Sequence, residues 1–76
     1  MSARVVLLEG GSEHDVFELV ELTEGVARVR TAFLFDVGEE LKLRVDRDGT
    51  VTDTVGRVRT HTGPADARIT ELELGA

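Results

Sequence analysis

Cysteine, tryptophan and tyrosine are absent from this chain, and phenylalanine occurs only three times. Without cysteine there can be no disulfide and no thiolate metal site, which indicates a reducing compartment or indifference to redox conditions. With so few aromatic rings, the chain also lacks the platform on which single-strand nucleic-acid binders stack bases. These absences exclude a disulfide framework and argue against a base-stacking binder.

Long apolar runs are missing as well. The run near the N-terminus, residues 5–8, has four residues. That is too short for the core of a signal peptide and far too short to span a bilayer. We therefore expect a cytoplasmic protein with no membrane insertion.

Basic side chains are outnumbered, nine against fifteen acidic ones, which gives a formal net charge of −6. A negatively charged protein repels polyanions at long range, so nonspecific nucleic-acid binding is disfavoured. The chain of 76 residues is long enough for a single domain over residues 1–76. A domain of this size buries only about 60% of the surface that its unfolded form exposes, so we expect modest stability.

Residues 16–31, VFELVELTEGVARVRT, are predicted to form the β-hairpin around which the chain is organised. Two runs rich in apolar and β-branched residues flank the polar break TEG at residues 23–25, a pattern typical of strand, tight turn and strand. In the second run, small or branched residues alternate with Arg28 and Arg30. One face can therefore pack on a core while the other carries two guanidinium groups into water.

Further strands are predicted along the rest of the chain. Asp48 and Gly49 lie between two strand-like segments and predict a type I′ turn, which needs positive φ at both central residues. Gly56 is predicted to mark a bulge or bend, since the apolar phase shifts near it. The expected strands are residues 4–9, 16–22, 26–31, 41–46, 50–61 and 67–74, with residues 12–15 as a polar connection.

Six short strands without crossover helices imply an antiparallel sheet that must close or fold over to hide its edges. We therefore predict an all-β fold, a small six-stranded antiparallel β-barrel. Residues 32–36, AFLFD, contain four consecutive apolar residues, a run that a half-exposed strand does not tolerate. This stretch is predicted to be a tucked crossing segment.

Catalysis and metal binding have little support in the sequence. His14 and His61 are the only candidate general bases, and both lie beside polar turn residues, which favours solvated side chains. Glu13, His14 and Asp15 are adjacent, so their side chains alternate between faces and do not converge on a metal ion. Phosphate-binding glycine loops and nucleophile elbows are missing. We expect a protein that is not an enzyme and has no cofactor.

Three segments carry a family resemblance: ELTEGVARVRT at residues 21–31, DVGEELKLRVD at residues 36–46 and GRVRTH at residues 56–61. In their order and spacing they resemble the PilZ domain, a small bacterial β-barrel whose typical members bind cyclic di-GMP. The first segment is similar to the D/N-x-S-x-x-G turn of that family and the strand that follows it. The resemblance implies a PilZ-like barrel and a role in bacterial signalling.

The ligand motifs of that family are incomplete here. Ligand-binding PilZ domains have an N-terminal R-x-x-x-R whose arginines hold phosphates and guanine, but Arg4 is the only arginine before Arg28. In the second motif, Glu21 stands at the Asp/Asn position, Thr23 at the Ser and Val26 at the final Gly. Val26 places a branched side chain where ligand and backbone would approach closely. We therefore expect that cyclic di-GMP binding is lost.

Two hypotheses from different classes remain open. In the first, the chain is an interaction module without nucleotide binding that contacts another protein, or itself, in motility, surface or second-messenger signalling. In the second, it is a receptor for cyclic di-GMP or another anionic nucleotide. The degenerate ligand site would then comprise Glu21, Thr23, Gly25, Arg28 and Arg30.

Arginines also occur as two alternating pairs, Arg28 with Arg30 and Arg57 with Arg59. If their strands are neighbours, the pairs form a basic stripe. Otherwise they are the solvated faces of two strands.

A partner-binding surface is predicted at Phe33, Leu34 and Phe35, and the alternative is that all three plug a barrel end. Successive side chains of an extended segment alternate, so Phe33 and Phe35 would face one way and Leu34 the other. We expect Phe35, the nearer of the two rings to the following turn, to project toward a partner.

Overall fold

A single antiparallel sheet contains all the strands of the computed structural model, which describes residues 3–64 and 67–75. Within those ranges the seven strands are β1 (Ala3–Glu9), β2 (Ser12–His14), β3 (Glu18–Leu22), β4 (Val26–Arg30), β5 (Glu40–Arg47), β6 (Thr50–Thr62) and β7 (Ile69–Leu74). Their order across the sheet is β2-β1-β5-β6-β7-β4-β3. No described residue is helical, so the all-β prediction is confirmed and no helix there could cross a membrane.

β2 occupies most of the stretch that was predicted to be a polar connection. Gly10 and Gly11 both have positive φ, 62° and 79°, so the chain reverses tightly and runs back along β1. Leu8 then pairs with Glu13. A glycine pair favours a two-residue hairpin turn of this kind, so residues 12–15 are not only a polar connection.

β6 lies in the middle of the sheet, whereas the β3–β4 hairpin predicted to organise the chain lies at one side of it. β6 pairs with β5 along residues 50–57 and with β7 along residues 56–62. The hairpin itself is present and joins the sheet through the β4–β7 ladder. Ladders between strands distant in sequence decide which strand is central, and a local pattern of side chains does not encode them.

The sheet curls until its two sides approach each other. β1 and β3 stand far apart in the strand order, yet they lie close together in space. Among the described residues no ladder joins β3 to β1 or β2, so the sheet is coiled without closing into a barrel. The strand count is also one more than expected, because β2 was not predicted.

The core lies on the concave face of this curled sheet. Alternation along each strand directs every second side chain inward. Val29 is fully buried and the neighbouring Arg28 is half-buried on the other face, which confirms the predicted register of β4. The buried cluster consists of Val5, Leu7, Phe17, Ala27, Val29, Leu41, Leu43, Val45, Val58 and Leu72.

The turn between β5 and β6 has the predicted geometry. Asp48 and Gly49 have φ values of 52° and 86°, as a type I′ turn requires. The Asp46 carboxylate accepts a hydrogen bond from the Gly49 N–H at 3.2 Å. The prediction of this hairpin is confirmed.

Gly56 is not the bulge that the sequence indicated. It pairs regularly with both neighbouring strands, and the register shift in β6 lies between Val58 and Thr60. A side chain at this position would displace the buried Leu43, because a Cβ there would lie 2.5 Å from Leu43 Cδ1. The apolar phase shift has another cause: Val55 lies on the outer face, and Val58 lies on the inner one.

Candidate interaction surface

Residues 31–39 connect β4 to β5 and form neither helix nor strand. The prediction of a crossing segment at residues 32–36 is confirmed in that respect, but only one of its apolar side chains is tucked in. Phe35 is partly buried against the core cluster, whereas Phe33 and Leu34 are exposed.

Phe35 anchors this connection. Its ring centroid lies 6.1 Å from that of the buried Phe17, and its carbonyl oxygen accepts a hydrogen bond from His61 Nε2 at 2.7 Å. The expectation that Phe35 projects toward a partner was therefore wrong. It assumed the alternation of an extended strand, and the irregular backbone here does not alternate.

Backbone hydrogen bonds hold the second half of the connection. The Gly38 N–H donates to the Val58 carbonyl at 2.7 Å, and the Val58 N–H donates to the Glu39 carbonyl at 2.9 Å. Asp36 and Glu39 bond each other twice, once through backbone groups at 3.0 Å and once from the Asp36 N–H to the Glu39 carboxylate at 3.1 Å. The connection is therefore tied to β6 and closed by its own turn.

Three apolar side chains project from this anchored backbone. Phe33 is 54% exposed, and Leu34 and Val37 are each 65% exposed. We call Phe33, Leu34 and Val37 the connection surface. Single exposed apolar residues are ordinary, but several on one short segment are typical of a contact site.

The His61 side chain links the connection to β7. Its Nδ1 lies 2.9 Å from Thr70 Oγ1, and Thr70 is fully buried. Because a carbonyl oxygen can only accept, Nε2 carries the proton that is donated to Phe35, and Nδ1 shares a hydrogen bond with the Thr70 hydroxyl. The expectation of a solvated His61 was wrong, because both ring nitrogens contact protein groups. The β6–β7 ladder places His61 opposite Thr70, and the local sequence does not encode that ladder. His14 is exposed, as expected.

The predicted ligand residues at the β3–β4 turn are engaged in the turn itself. The Thr23 N–H and hydroxyl both donate to the Val26 carbonyl, at 2.9 and 3.3 Å. The Gly25 carbonyl accepts from the Leu74 N–H at 2.9 Å. Arg47 crosses from β5 and donates to the Thr23 carbonyl at 2.8 Å. These contacts give each group a structural role.

Arg28 and Arg30 project from the outer face of β4 and contact carboxylates. Arg28 lies between Glu21, at 3.5 Å, and Glu71, at 3.7 Å. Arg30 donates to Glu18 at 3.0 Å. The structure thus brings Glu21 and Arg28 of the predicted ligand site together, but as an ion pair.

The other two arginines lie on β6, and β7 separates them from β4. Arg59 lies 3.5 Å from Glu71 and Arg57 lies 2.8 Å from Glu40. The hydrogen bond that Arg57 donates to Glu40 raises the pKa of the Arg57 guanidinium. Acidic side chains of β7 lie between the arginines of β4 and those of β6, so charges of both signs alternate across this face. The four arginines therefore do not form a basic stripe.

Arg44 makes the densest polar cluster on the outer face, and sequence reasoning missed it. Its Nε and Nη2 donate to the two carboxylate oxygens of Asp53, at 2.7 and 3.0 Å, and its Nη1 donates to Glu13 at 2.5 Å. The hydrogen bond from Arg44 lowers the pKa of Asp53. The cluster ties β2 and β6 to β5. The predicted turn at Asp48 and Gly49 fixes the hairpin register and already places Arg44 opposite Asp53, so this half of the cluster could have been found from the sequence. The contact with Glu13 could not, because β2 was not predicted.

An open cleft of about 480 Å³ lies beside Arg30. Arg30 and Arg68 line it together with Asp15 and Glu18. The mixture of charges suits a dianion poorly, because each carboxylate repels a phosphate. In the part of the chain that the structure describes, no group of three or more His, Asp or Glu side chains could hold a metal ion.

Comparisons with known proteins give no further guide. No family model matches the chain, and neither the curated proteins nor the solved structures contain a significant match to it.

Proposed function

We propose that this chain is a non-enzymatic, PilZ-like signalling or adaptor domain that works by contacting a protein partner. The observation that carries the proposal is the connection surface. Phe33, Leu34 and Val37 are exposed on a backbone that Phe35, His61 and the hydrogen bonds to Val58 hold in place. A pre-ordered apolar segment loses little conformational entropy on binding, so its burial contributes more fully to affinity.

The PilZ-like, six-stranded barrel is part of this proposal. The antiparallel sheet, the Asp48–Gly49 hairpin and the approach of β1 to β3 support it. In that view β2 is an addition to the barrel strands. The bacterial and cytoplasmic setting belongs to the same proposal, and the lack of cysteine supports a reducing compartment.

Loss of cyclic di-GMP binding is the second half of the proposal. Arg28 and Arg30, the predicted ligand arginines, contact carboxylates, and Arg4 lies 3.4 Å from Asp15. A nucleotide would have to displace these carboxylates before it met a free guanidinium fork.

Titration calorimetry tests the nucleotide hypothesis directly. We expect no saturable heat with cyclic di-GMP at tens of micromolar. A dissociation constant below about 10 μM, worth roughly 7 kcal/mol, would contradict the proposal and favour the receptor alternative. In that event Arg30→Ala should abolish the heat, because Arg30 lines the cleft.

Affinity capture from the source cell tests the partner hypothesis. Wild-type protein, Phe33→Ser and Val20→Ser are used as matched baits, since Val20 is an exposed apolar residue on β3, outside the connection. We expect a partner that wild type and Val20→Ser retain and Phe33→Ser loses, with all three baits equally folded by circular dichroism. Equal capture of the partner by all three baits would mean that the connection surface does not bind it.

A further inference from the structure

The first half of β6 has a neighbouring strand on one side only. β5 pairs with β6 from residue 50 to residue 57, but β7 pairs with it only from Gly56 onward. Among residues 3–64 and 67–75, no strand lies along the other side of residues 50–55. We call residues 50–55, TVTDTV, the β6 edge.

Val51 and Asp53 present their backbone groups at this edge. The Val55 carbonyl accepts a hydrogen bond from the Gly75 N–H at 2.8 Å, so the backbone of Val55 points away from β5. Backbone groups in an antiparallel pair alternate in direction from residue to residue. Val51 and Asp53 share the parity of Val55, and their N–H and C=O groups therefore point out of the sheet.

The two outermost strands carry features that discourage pairing with another chain. β2 has three residues, all of them exposed. β3 has a register shift between Leu19 and Glu21, and it carries two exposed glutamates. Short length, bulges and charges are the usual protection of a sheet edge.

The β6 edge lacks most of these protections. It contains no proline or lysine and is rich in β-branched residues. Its ladder with β5 is regular. Its single charge, Asp53, is held by the Arg44 guanidinium.

We propose that the β6 edge pairs with the β6 edge of a second copy of this chain, antiparallel and centred on Thr52, to form a symmetric dimer. Such a dimer needs a patch that is complementary to itself. With this centre, Thr52 lies opposite its own copy, Thr50 lies opposite Thr54, and Val51 lies opposite Asp53. The Val51–Asp53 pair occurs twice and exchanges both backbone hydrogen bonds each time.

The neighbouring register centred on Asp53 fits less well. A centre at Asp53 places two carboxylates opposite each other, which is destabilising. It also requires Val55, whose carbonyl is already bonded to Gly75. The register centred on Thr52 uses only residues 50–54 and aligns threonines with threonines, a favourable cross-strand pair.

The dimer is weak and depends on salt. A contact along one short edge buries less than the roughly 1,200 Å² of a stable interface. Two copies with a net charge of −6 each repel one another, and salt screens this repulsion. Association should therefore increase with ionic strength, and sedimentation from micromolar to millimolar concentration detects it.

Cysteine cross-linking tests the register. Thr52 directs its backbone groups toward β5, so the Thr52–Thr52 pair is a non-hydrogen-bonded pair with a Cα separation of about 4.5 Å, within the reach of a disulfide. The chain has no cysteine of its own, so Thr52→Cys introduces a single thiol. We expect mild oxidation to yield a covalent dimer from Thr52→Cys and not from the matched control Thr50→Cys, which lies opposite Thr54. Equal cross-linking of the two variants, or none for Thr52→Cys, would overturn the proposal.

Proline at position 51 tests the edge without disturbing the ladder to β5. Val51→Pro removes an N–H that points out of the sheet, a position where proline is tolerated, whereas Val51→Ala retains it. We expect Val51→Pro to stay folded and sediment as a monomer, and Val51→Ala to keep the dimer. A wild type that is monomeric up to millimolar concentration in high salt contradicts the proposal. So does a dimer that survives Val51→Pro but not Phe33→Ser, which would assign self-association to the connection surface.

Discussion

His61 Nε2 lies 2.7 Å from the carbonyl oxygen of Phe35, twenty-six residues earlier in the chain. This hydrogen bond joins the central strand to the connection between β4 and β5. The same imidazole contacts the buried hydroxyl of Thr70 through Nδ1. One side chain therefore positions the segment that displays the connection surface.

Removal of this imidazole should destabilise the fold. His61→Ala leaves the Phe35 carbonyl and the Thr70 hydroxyl without this partner, and we expect the free energy of unfolding to fall by about 1–3 kcal/mol. His14→Ala is the control: His14 is exposed, with a single contact to the Glu9 carbonyl at 3.2 Å, and its loss should cost under about 0.5 kcal/mol. Urea denaturation measures both. Equal midpoints would mean that the His61 contacts contribute nothing to stability.

The register of β4 can be tested by two neighbouring substitutions. Val29 is fully buried, so Val29→Asp places a carboxylate without a partner in the core and should unfold a domain with only about 5 kcal/mol of stability. Arg28→Gln removes ion pairs on the outer face and should cost under about 1 kcal/mol. Thermal unfolding followed by circular dichroism compares them. Identical melting curves would indicate a register shifted by one residue.

A side chain at Gly56 is predicted to destabilise the fold. A Cβ there would lie 2.5 Å from Leu43 Cδ1, and Leu43 is fully buried, so Gly56→Ala should lower the free energy of unfolding by about 1–3 kcal/mol. Gly25→Ala is the control, because a Cβ at Gly25 meets nothing within 4 Å. Leu43→Val in the Gly56→Ala background shortens the obstructing side chain and should recover part of the loss. No recovery would mean that the cost is not steric.

The Arg44–Asp53 contact should contribute to acid sensitivity. Arg44 lowers the pKa of Asp53 in the folded protein, so the ionised carboxylate stabilises the fold above the unfolded-state pKa of about 3.9. This contribution is lost as the pH falls through the folded-state pKa. Asp53→Asn should therefore have a lower melting temperature than wild type at pH 7, and this difference in melting temperature should decrease below about pH 4.

Arg44→Gln supplies the second side of a double-mutant cycle with Asp53→Asn. Since the two residues share one contact, the effects of the single substitutions on melting temperature should not add in the double variant. One contrary result is a difference in melting temperature between wild type and Asp53→Asn that stays constant from pH 7 to pH 3, and the other is full additivity of the effects of the two substitutions. Either result would mean that the Arg44–Asp53 contact does not cause the acid sensitivity.

Local features of this protein could be predicted from its sequence. Asp48 and Gly49, flanked by two strand-like segments, specify a type I′ turn because few residues accept positive φ in succession. The alternation around Val29 assigns inner and outer faces of β4 because the side-chain period of a strand is two. The same alternation fails at residues 33–35, because the adjacent side chains of Phe33 and Leu34 are both exposed.

The tertiary structure decided everything that depends on strands distant in sequence. The β6–β7 ladder places His61 beside Thr70, and the central position of β6 follows from ladders that no local pattern encodes. Arg44 reaches Glu13 only because β2 folds back along β1. The irregular backbone of residues 31–39 decided that Phe35 turns inward, with its ring against that of Phe17, and that Phe33 does not. Periodicity assigns faces only where the chain is a regular strand.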